Sequence, residues 1–436
     1  MNDSIQLYRG DIFYFKSSCV DDYVFLRDGA LLVSAGKVVE TGKYDALKKK
    51  FPEAVETDCS GRLIMPGFID SHIHYAQSEI VGMYGKQLLD WLNEYTFPAE
   101  LEFRSSKHAE YIADVFIKEL LKNGTTTCVA YSTVHKQSVD ALFKAASDRN
   151  MRIITGKVLM ERNAMPGLAD TVEDGERDSR ELIERWHRVG RNHYAITPRF
   201  AITCSEEQLV SAGRIHADYP DTYVQTHLSE NKHEIEYTLS LFPGCKDYLE
   251  VYERAGLITE RAVLGHCIYL SDSELSRISS EGAVIAHCPT SNLFLGSGLF
   301  DMERANKAGA KTVLATDVGG GTSFSMLKTM GESYKVMQLN GYSVSVFETL
   351  YKSTFGAAKA LHLDDKIGSF LPGMEADFIV VDYAATSAQQ IRKDYLERTG
   401  KWNIETALFG LQISGDDRNI VATYIMGKEY KNLSNL

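Results

Sequence analysis

Residues 66–74 read Pro66-Gly67-Phe68-Ile69-Asp70-Ser71-His72-Ile73-His74, an apolar, β-branched run over 64–70 that leads into a His-x-His pair. Side chains alternate between the two faces of a strand, so His72 and His74 share a face and can reach one metal ion. Seven more such runs follow, at 125–131, 152–160, 193–198, 222–228, 262–267, 282–288 and 312–317. Helical patterns lie between them. Leu88, Trp91, Leu92 and Tyr95 fall on one helix face, as do Ile112, Ala113, Phe116 and Leu120. Ser205-Glu206-Glu207-Gln208 and Ser271-Asp272-Ser273-Glu274 read as capping boxes that start helices. Eight strands alternating with helices predict an α/β fold of the (β/α)8, TIM-type barrel class. An open doubly wound sheet is the alternative, weakened because no GxGxxG phosphate loop follows the first strand.

In a barrel, catalytic groups stand where strands end and βα loops begin. Five of the chain's twelve His stand at such ends: His72, His74, His227, His266 and His287. His227, ending the fifth strand, can add a third nitrogen to the His72/His74 pair, and Asp317, ending the eighth, an oxygen. Three His and one carboxylate with a position open to water form a catalytic rather than a structural metal site. His-x-His alone is weak, since two His on a strand are often only polar groups facing solvent. Four ligand types at independent strand ends are much harder to obtain by chance. Competing motifs fail: His233-Glu234 is not followed by a His at 237, which is Tyr, and His108-Ala109-Glu110 has no later PCxxC. No GxSxG elbow or P-loop occurs.

The rest of the chain bounds the function. It has 436 residues with 47 Lys plus Arg and 59 Asp plus Glu, a net charge of −12. Length alone suggests about three domains. With 24% charged and 44% hydrophobic residues the composition is globular. The acidic balance argues against nucleic-acid polymers and anionic membranes as partners, because no basic field would draw phosphate. The seven Cys contain no CxxC pair and are too scattered for a disulfide scaffold. No apolar run approaches the ~18 residues that span a bilayer, and the charged N-terminal stretch is no signal peptide. These features predict a soluble, reducing, cytoplasmic setting. Short strand patterns at both ends (Ile12–Phe15, Ala30–Val33, Val38-Val39 and Leu63–Met65, then Asp377–Asp382 and Ile420–Lys428) predict one small β-domain built from 1–65 and 372–436, beside a barrel over 66–371.

The stretch 66–74, with His227, His266 and Asp317, resembles the amidohydrolase family of metal-dependent hydrolases, and within it most closely the guanine deaminases. The likeness is carried by His72-Ile73-His74 with Gln77, Leu89-Asp90-Trp91-Leu92, Tyr95-Thr96-Phe97-Pro98-Ala99-Glu100 and Asn123-Gly124-Thr125-Thr126-Thr127. It continues through Ile196-Thr197-Pro198-Arg199-Phe200, Thr226-His227-Leu228-Ser229-Glu230-Asn231, Ala286-His287-Cys288-Pro289-Thr290-Ser291-Asn292-Leu293 and Gly415-Asp416-Asp417-Arg418-Asn419-Ile420. The resemblance implies a barrel with a composite β-sandwich domain from both chain ends. It also implies hydrolysis of guanine to xanthine and ammonia by a metal-activated water, and a homodimer.

Two-metal members of the family bridge their ions through a carboxylated Lys at the end of the fourth strand; here Thr197-Pro198-Arg199 has none. One divalent ion is therefore implied, Zn²⁺ first and Fe²⁺ second, held by His72, His74, His227 and Asp317. The implied catalytic groups are Asp317 and His266, which orient the water and take its proton, and Glu230, a proton shuttle that needs a raised pKa. The implied substrate-binding residues are Gln77, Arg199, Phe200, His227 and Glu230. Gln77 can donate and accept at a purine edge, Arg199 can donate to O6 and so separate guanine from adenine, and Phe200 can stack. The plainer readings are an ion pair for Arg199, barrel core for Phe200 and a polar loop residue for Glu230. Trp91, Phe97 and Tyr75 could line or cover the pocket, with Trp91 more readily core. His287 could stand near the site or serve structure, and the 290–298 loop could shape the mouth. The alternatives are another aminohydrolase of the family, acting on cytosine, an adenosine-type nucleoside, a pterin or a triazine, or a barrel that has lost catalysis and serves assembly.

Overall fold

In the computed structural model, which describes residues 5–84 and 87–432, eight parallel strands follow one another in chain order around one sheet. They are Phe68–His74, Thr125–Tyr131, Arg152–Gly156, Asn192–Pro198, Tyr223–Leu228, Ala262–His266, Val284–His287 and Lys311–Leu314. The bounds differ from the sequence pattern most at three runs, the eighth strand ending at Leu314, three residues before Asp317. Leu63–Pro66 belongs to a different sheet, and the barrel begins after Gly67, where a Cβ would lie 2.2 Å from the Thr126 side chain. The third run is broken after Gly156, and its continuation Val158–Leu159 pairs with the fourth strand alone.

The ring is drawn together between its first and eighth strands. Past Leu314 the chain runs beside the first strand, where the Asp317 N–H donates to the His72 carbonyl (2.9 Å) and the His74 N–H to the Val318 carbonyl (2.8 Å). At the same seam the buried Asp70 carboxylate accepts the Thr316 N–H (3.1 Å) and hydroxyl (2.5 Å). Alternate strand residues, among them Ile69, Val129, Ile154, Ala195, Val263 and Val284, fill one apolar cluster, as the packed interior of a barrel requires. Helices cover the outside through apolar stripes. Helix Ser106–Lys122 buries Ile112, Ala113, Phe116 and Leu120, and Ser271 closes a reciprocal capping box with Glu274. Ser205 caps its helix from one side only, because the Gln208 amide turns to Asp170 instead.

Both chain ends join one seven-stranded sheet, in the order Lys428–Asn432, Ile420–Ile425, Phe378–Val381, Val55–Pro66, Gln6–Phe15, Tyr23–Ser34, Lys37–Lys43. Its two wings share a core as in a sandwich: Tyr8 packs edge-on against Phe378 and Tyr424 (ring centroids 4.9 and 5.1 Å), and Val38 and Val421 lie in the same cluster. Among the described residues no helix is long and apolar enough to cross a membrane.

Buried charge couples sheet to barrel. Arg191, just before the fourth barrel strand, pairs with Asp377 and with Glu375 (2.6 Å), and Glu375 also takes Arg152 (2.7 Å). Removing one partner of a buried pair strands the other charge. Arg191→Met should therefore cost about 3–5 kcal/mol of unfolding free energy, read by denaturant titration, and adding Asp377→Asn should recover part of that loss.

Candidate active site

Strict alternation along the first strand would place Ile69 and His72 on opposite faces. A register shift between Asp70 and Ile73, where the first strand advances three residues against two on its neighbour, carries the His to the face of Ile69. Ile73 then packs into the outer core, while both His rings stand at the mouth. The ends of the fifth, sixth and eighth strands turn sharply. Ser229, His266, Cys267 and Asp317 all have left-handed φ, between 52° and 69°. Such strain in non-glycine residues persists only where surrounding bonds impose it. Here Cys267 N–H binds the Leu228 carbonyl (2.9 Å) and Gly321 N–H the Asp317 carbonyl (2.5 Å).

These turns bring His72, His74, His227 and Asp317 together, their ligand atoms all within 4.8 Å of one another. Asp317 Oδ1 lies 3.3 Å from Nε2 of both His72 and His74, and Nε2 of His74 faces Nε2 of His227 at 3.2 Å. His227 donates its Nδ1–H to the Arg199 carbonyl (2.7 Å), which leaves the lone pair of Nε2 toward the cluster. Burial pushes His74 down to about 3 and His227 well below the ordinary imidazole value, so both rings are neutral. Burial alone would raise Asp317, but the imidazoles of His72 and His74 set against it outweigh that and hold the carboxyl well below its usual range. Nε2 of His72, fully buried, has no hydrogen-bond partner. Neutral imidazoles and an ionised carboxylate converging with an unsatisfied nitrogen make a donor set that suits a divalent ion such as Zn²⁺. An overlapping set, His72, His266, Cys288 and Asp317, suits it less, because burial pushes the Cys288 thiol well up and keeps its proton on.

Glu230 is buried beside this cluster. Its Oε1 accepts the Ser297 hydroxyl (2.9 Å) and its Oε2 lies 3.4 Å from His266 Nε2. Burial first, then the Asp317 carboxylate, push its carboxyl up to about 8. Two acids side by side are thus driven apart in acidity, the pattern expected of a base and an acid. His266 hydrogen-bonds through Nδ1 to the side-chain oxygen of Asn292 (2.8 Å), which leaves its Nε2, 3.7 Å from Asp317 Oδ2, facing the cluster. Glu234, dismissed as half of a zincin motif, accepts the backbone N–H of Glu230 (2.8 Å) and Asn231 (3.0 Å) and steadies the loop.

A cavity of about 400 Å³, counted with its opening to solvent, adjoins these groups. Gln77, Arg199 and Phe200 line it with His74, His227, Glu230, His266 and Asp317. Its apolar wall is Leu88, Trp91, Leu92 and Leu295. Trp91 is therefore both core and wall, packed in the same cluster as Phe200. Tyr75 is not at the pocket; its hydroxyl binds the Ser138 carbonyl (2.8 Å) in the outer core. His287 packs its ring on Phe300 (4.9 Å) and does not line the cavity. Sequence reasoning passed over Glu100, Asn292 and Ser297 as individual residues. Asn292 and Ser297 lie in the 290–298 loop read as shaping the mouth, and Glu100 and Asn292 stand within stretches that carry the family likeness.

The family model described as "Amidohydrolase family" matches residues 63–430. The chain is 50% identical over 405 residues to a guanine deaminase of Escherichia coli (strain K12), covering 93% of this chain and 91% of that one. Its fold is similar to the solved E. coli guanine deaminase (TM-score 0.95, 47% identity, covering 98% of this chain and 100% of that one). It is also similar to the guanine deaminase of C. acetobutylicum solved with bound guanine in the active site (TM-score 0.88, 30% identity, 98% and 100%).

Two outcomes follow from the geometry. A Cβ at Gly265 would stand 2.7 Å from Cε1 of His72. Gly265→Ala should displace that ring and weaken metal affinity about 10–100-fold, measured by competition with a chromogenic chelator. In metal-free protein the folded Glu230 carboxyl titrates near 8 against an unfolded value near 4.5, so its stability contribution is lost as pH rises across that window. Glu230→Gln should therefore raise the melting temperature of the metal-free protein more at about pH 8.5 than at about pH 4, values that lie on either side of that window.

Proposed function

The chain belongs to the amidohydrolase family, and from that premise we propose that it is a guanine deaminase, converting guanine and water to xanthine and ammonia. The observation that carries the reading is the buried acid Glu230 beside the His/Asp cluster, in a cavity that also presents Arg199 and Gln77. Identity to guanine deaminases over nearly the whole chain supports the same substrate.

His72, His74, His227 and Asp317 would hold one divalent ion, Zn²⁺ in first place. When bound it supplies a water acidic enough to act as a nucleophile near neutral pH. His266, its Nδ1 held by the Asn292 side chain, would orient the nucleophile through Nε2. Asp317 Oδ2, on the same side as His266 Nε2, would be placed to hold a proton given up by the nucleophile. Glu230, protonated through burial and anchored by Ser297, gives a proton to N3 as C2 becomes tetrahedral. Glu230, now ionised, takes the C2 hydroxyl proton as the C2 carbonyl forms, and the proton held by Asp317 passes to the 2-amino group, which departs as ammonia. Arg199 donates to O6, Gln77 binds the purine edge, and Phe200 and Trp91 exclude water from the base. A homodimer acting in the cytoplasm completes the reading; a sedimentation mass of a single chain would refute the dimer.

An assay of guanine, adenine, cytosine and pterins side by side, with metal quantified on the same protein, tests the assignment. Guanine should be strongly preferred, with one ion per chain; a large preference for another base overturns it. Glu230→Gln should lower kcat on guanine by about 10²–10⁴-fold while metal content holds.

A further inference from the structure

Glu100 is fully buried and does not line the cavity, yet it touches two side chains that do. It stands on the short helix Phe97–Leu101, which meets Arg199 in two ways. Phe97 lies under the guanidinium (5.4 Å to the ring centroid), and Arg199 Nη1 donates to both Glu100 oxygens (2.8 and 2.7 Å). The same Oε1 accepts from Gln77 Nε2 (3.2 Å), while Gln77 Oε1 accepts the Gly319 backbone N–H (3.2 Å).

An amide of Gln can ordinarily turn over and exchange its donor for its acceptor. At Gln77 both ends forbid it. Turned over, its oxygen would face a carboxylate, which only accepts, and its NH₂ would face the Gly319 N–H, which only donates. Glu100 is thus one of two groups that choose which end of Gln77 stands where. It also occupies Arg199 through Nη1, so Nε–H and the Nη2 hydrogens are the ones left for a ligand. The groups offered beside each other are then N–H donors from Arg199 and Gln77. Guanine presents two acceptors, O6 and N7, along the edge away from C2, whereas a 6-aminopurine presents an NH₂ donor at position 6. A site that holds donors against a donor leaves both unpaired, which discriminates far more strongly than a missing methylene.

We infer that Glu100 is a positioning residue that sets the choice of a 6-oxo over a 6-amino purine, acting through Gln77 and Arg199. The inference rests on the guanine reading above. Its test compares guanine with 2,6-diaminopurine, which carries the same amino group at C2 and differs along the N1/C6 edge, with an amine for the O6 oxygen and no hydrogen on N1. Wild type should strongly prefer guanine. Glu100→Gln, nearly isosteric but able to donate, removes one of the two groups that fix the Gln77 amide and loosens the hold on Arg199 Nη1, and the ratio of kcat/KM for guanine to that for 2,6-diaminopurine should fall about tenfold or more with metal content unchanged. A merely structural role would depress both substrates together, and an unchanged ratio overturns the inference. Should Glu100→Gln fail to fold, Gln77→Leu removes the amide while Arg199 keeps its carboxylate, and the same fall is expected; a wild-type ratio there overturns the inference equally. A wild-type enzyme that turns over neither purine defeats the guanine reading itself, a result distinct from a ratio that Glu100→Gln leaves intact.

Discussion

The seam between the first and eighth barrel strands is the constraint on which the site depends. Two backbone hydrogen bonds, Asp317 N–H to His72 and His74 N–H to Val318, bring the first and last strands of a sequential barrel side by side. The same bonds set the Asp317 carboxylate against the two imidazoles. Asp70 ties the seam below with a carboxylate bound to Thr316, and burial raises its carboxyl to about 6. Barrel closure and ligand convergence are therefore one event: residues some 245 positions apart become neighbours only because the ring is complete.

Around that seam the protein buries an unusual amount of acid. Asp317, Glu230, Glu234 and Glu100 are all nearly inaccessible, and each has a different solution to the cost of desolvation. Asp317 is held ionised by imidazole nitrogens, the groups that would share an ion with it. Glu230 has a hydroxyl and a neighbouring carboxylate, and keeps its proton. Glu234 takes two backbone N–H groups and the Tyr248 hydroxyl (3.0 Å). Glu100 has a guanidinium and a primary amide. These partners leave one acid protonated and one ionised on the same cavity, a division of labour that water-exposed carboxylates would not show. The left-handed residues at the mouth belong to the same economy, because the chain must bend sharply where its side chains turn into the cavity.

Much of this was readable in the residues. Eight β-branched runs with helical spacing between them predicted the barrel, and the polar residues that end those runs predicted His72, His74, His227 and Asp317 as neighbours, while the roles of Glu230 and His266 came with the family resemblance. Gln77, Arg199 and Phe200 were found through resemblance, and the cavity does bring them to these groups. The misses have physical reasons. The bulge that turns His72 toward the face of Ile69 leaves no mark in a period-two pattern. Glu100 sits in a segment of mixed α and π pitch, where no simple periodicity points inward. Tyr75 follows the metal-site strand directly, yet its hydroxyl is drawn outward to Ser138.

By itself, then, the sequence determined the order of elements, the joining of both ends into one sheet and the chemical types available at each strand end. Those follow from periodicity, β-branching and residue chemistry, which are local properties. Only the tertiary structure decided which nitrogen of each His faces inward, which carboxylate is protonated, and which way the Gln77 amide points. Those outcomes depend on partners distant in the chain and on burial, and neither can be read from a residue's near neighbours.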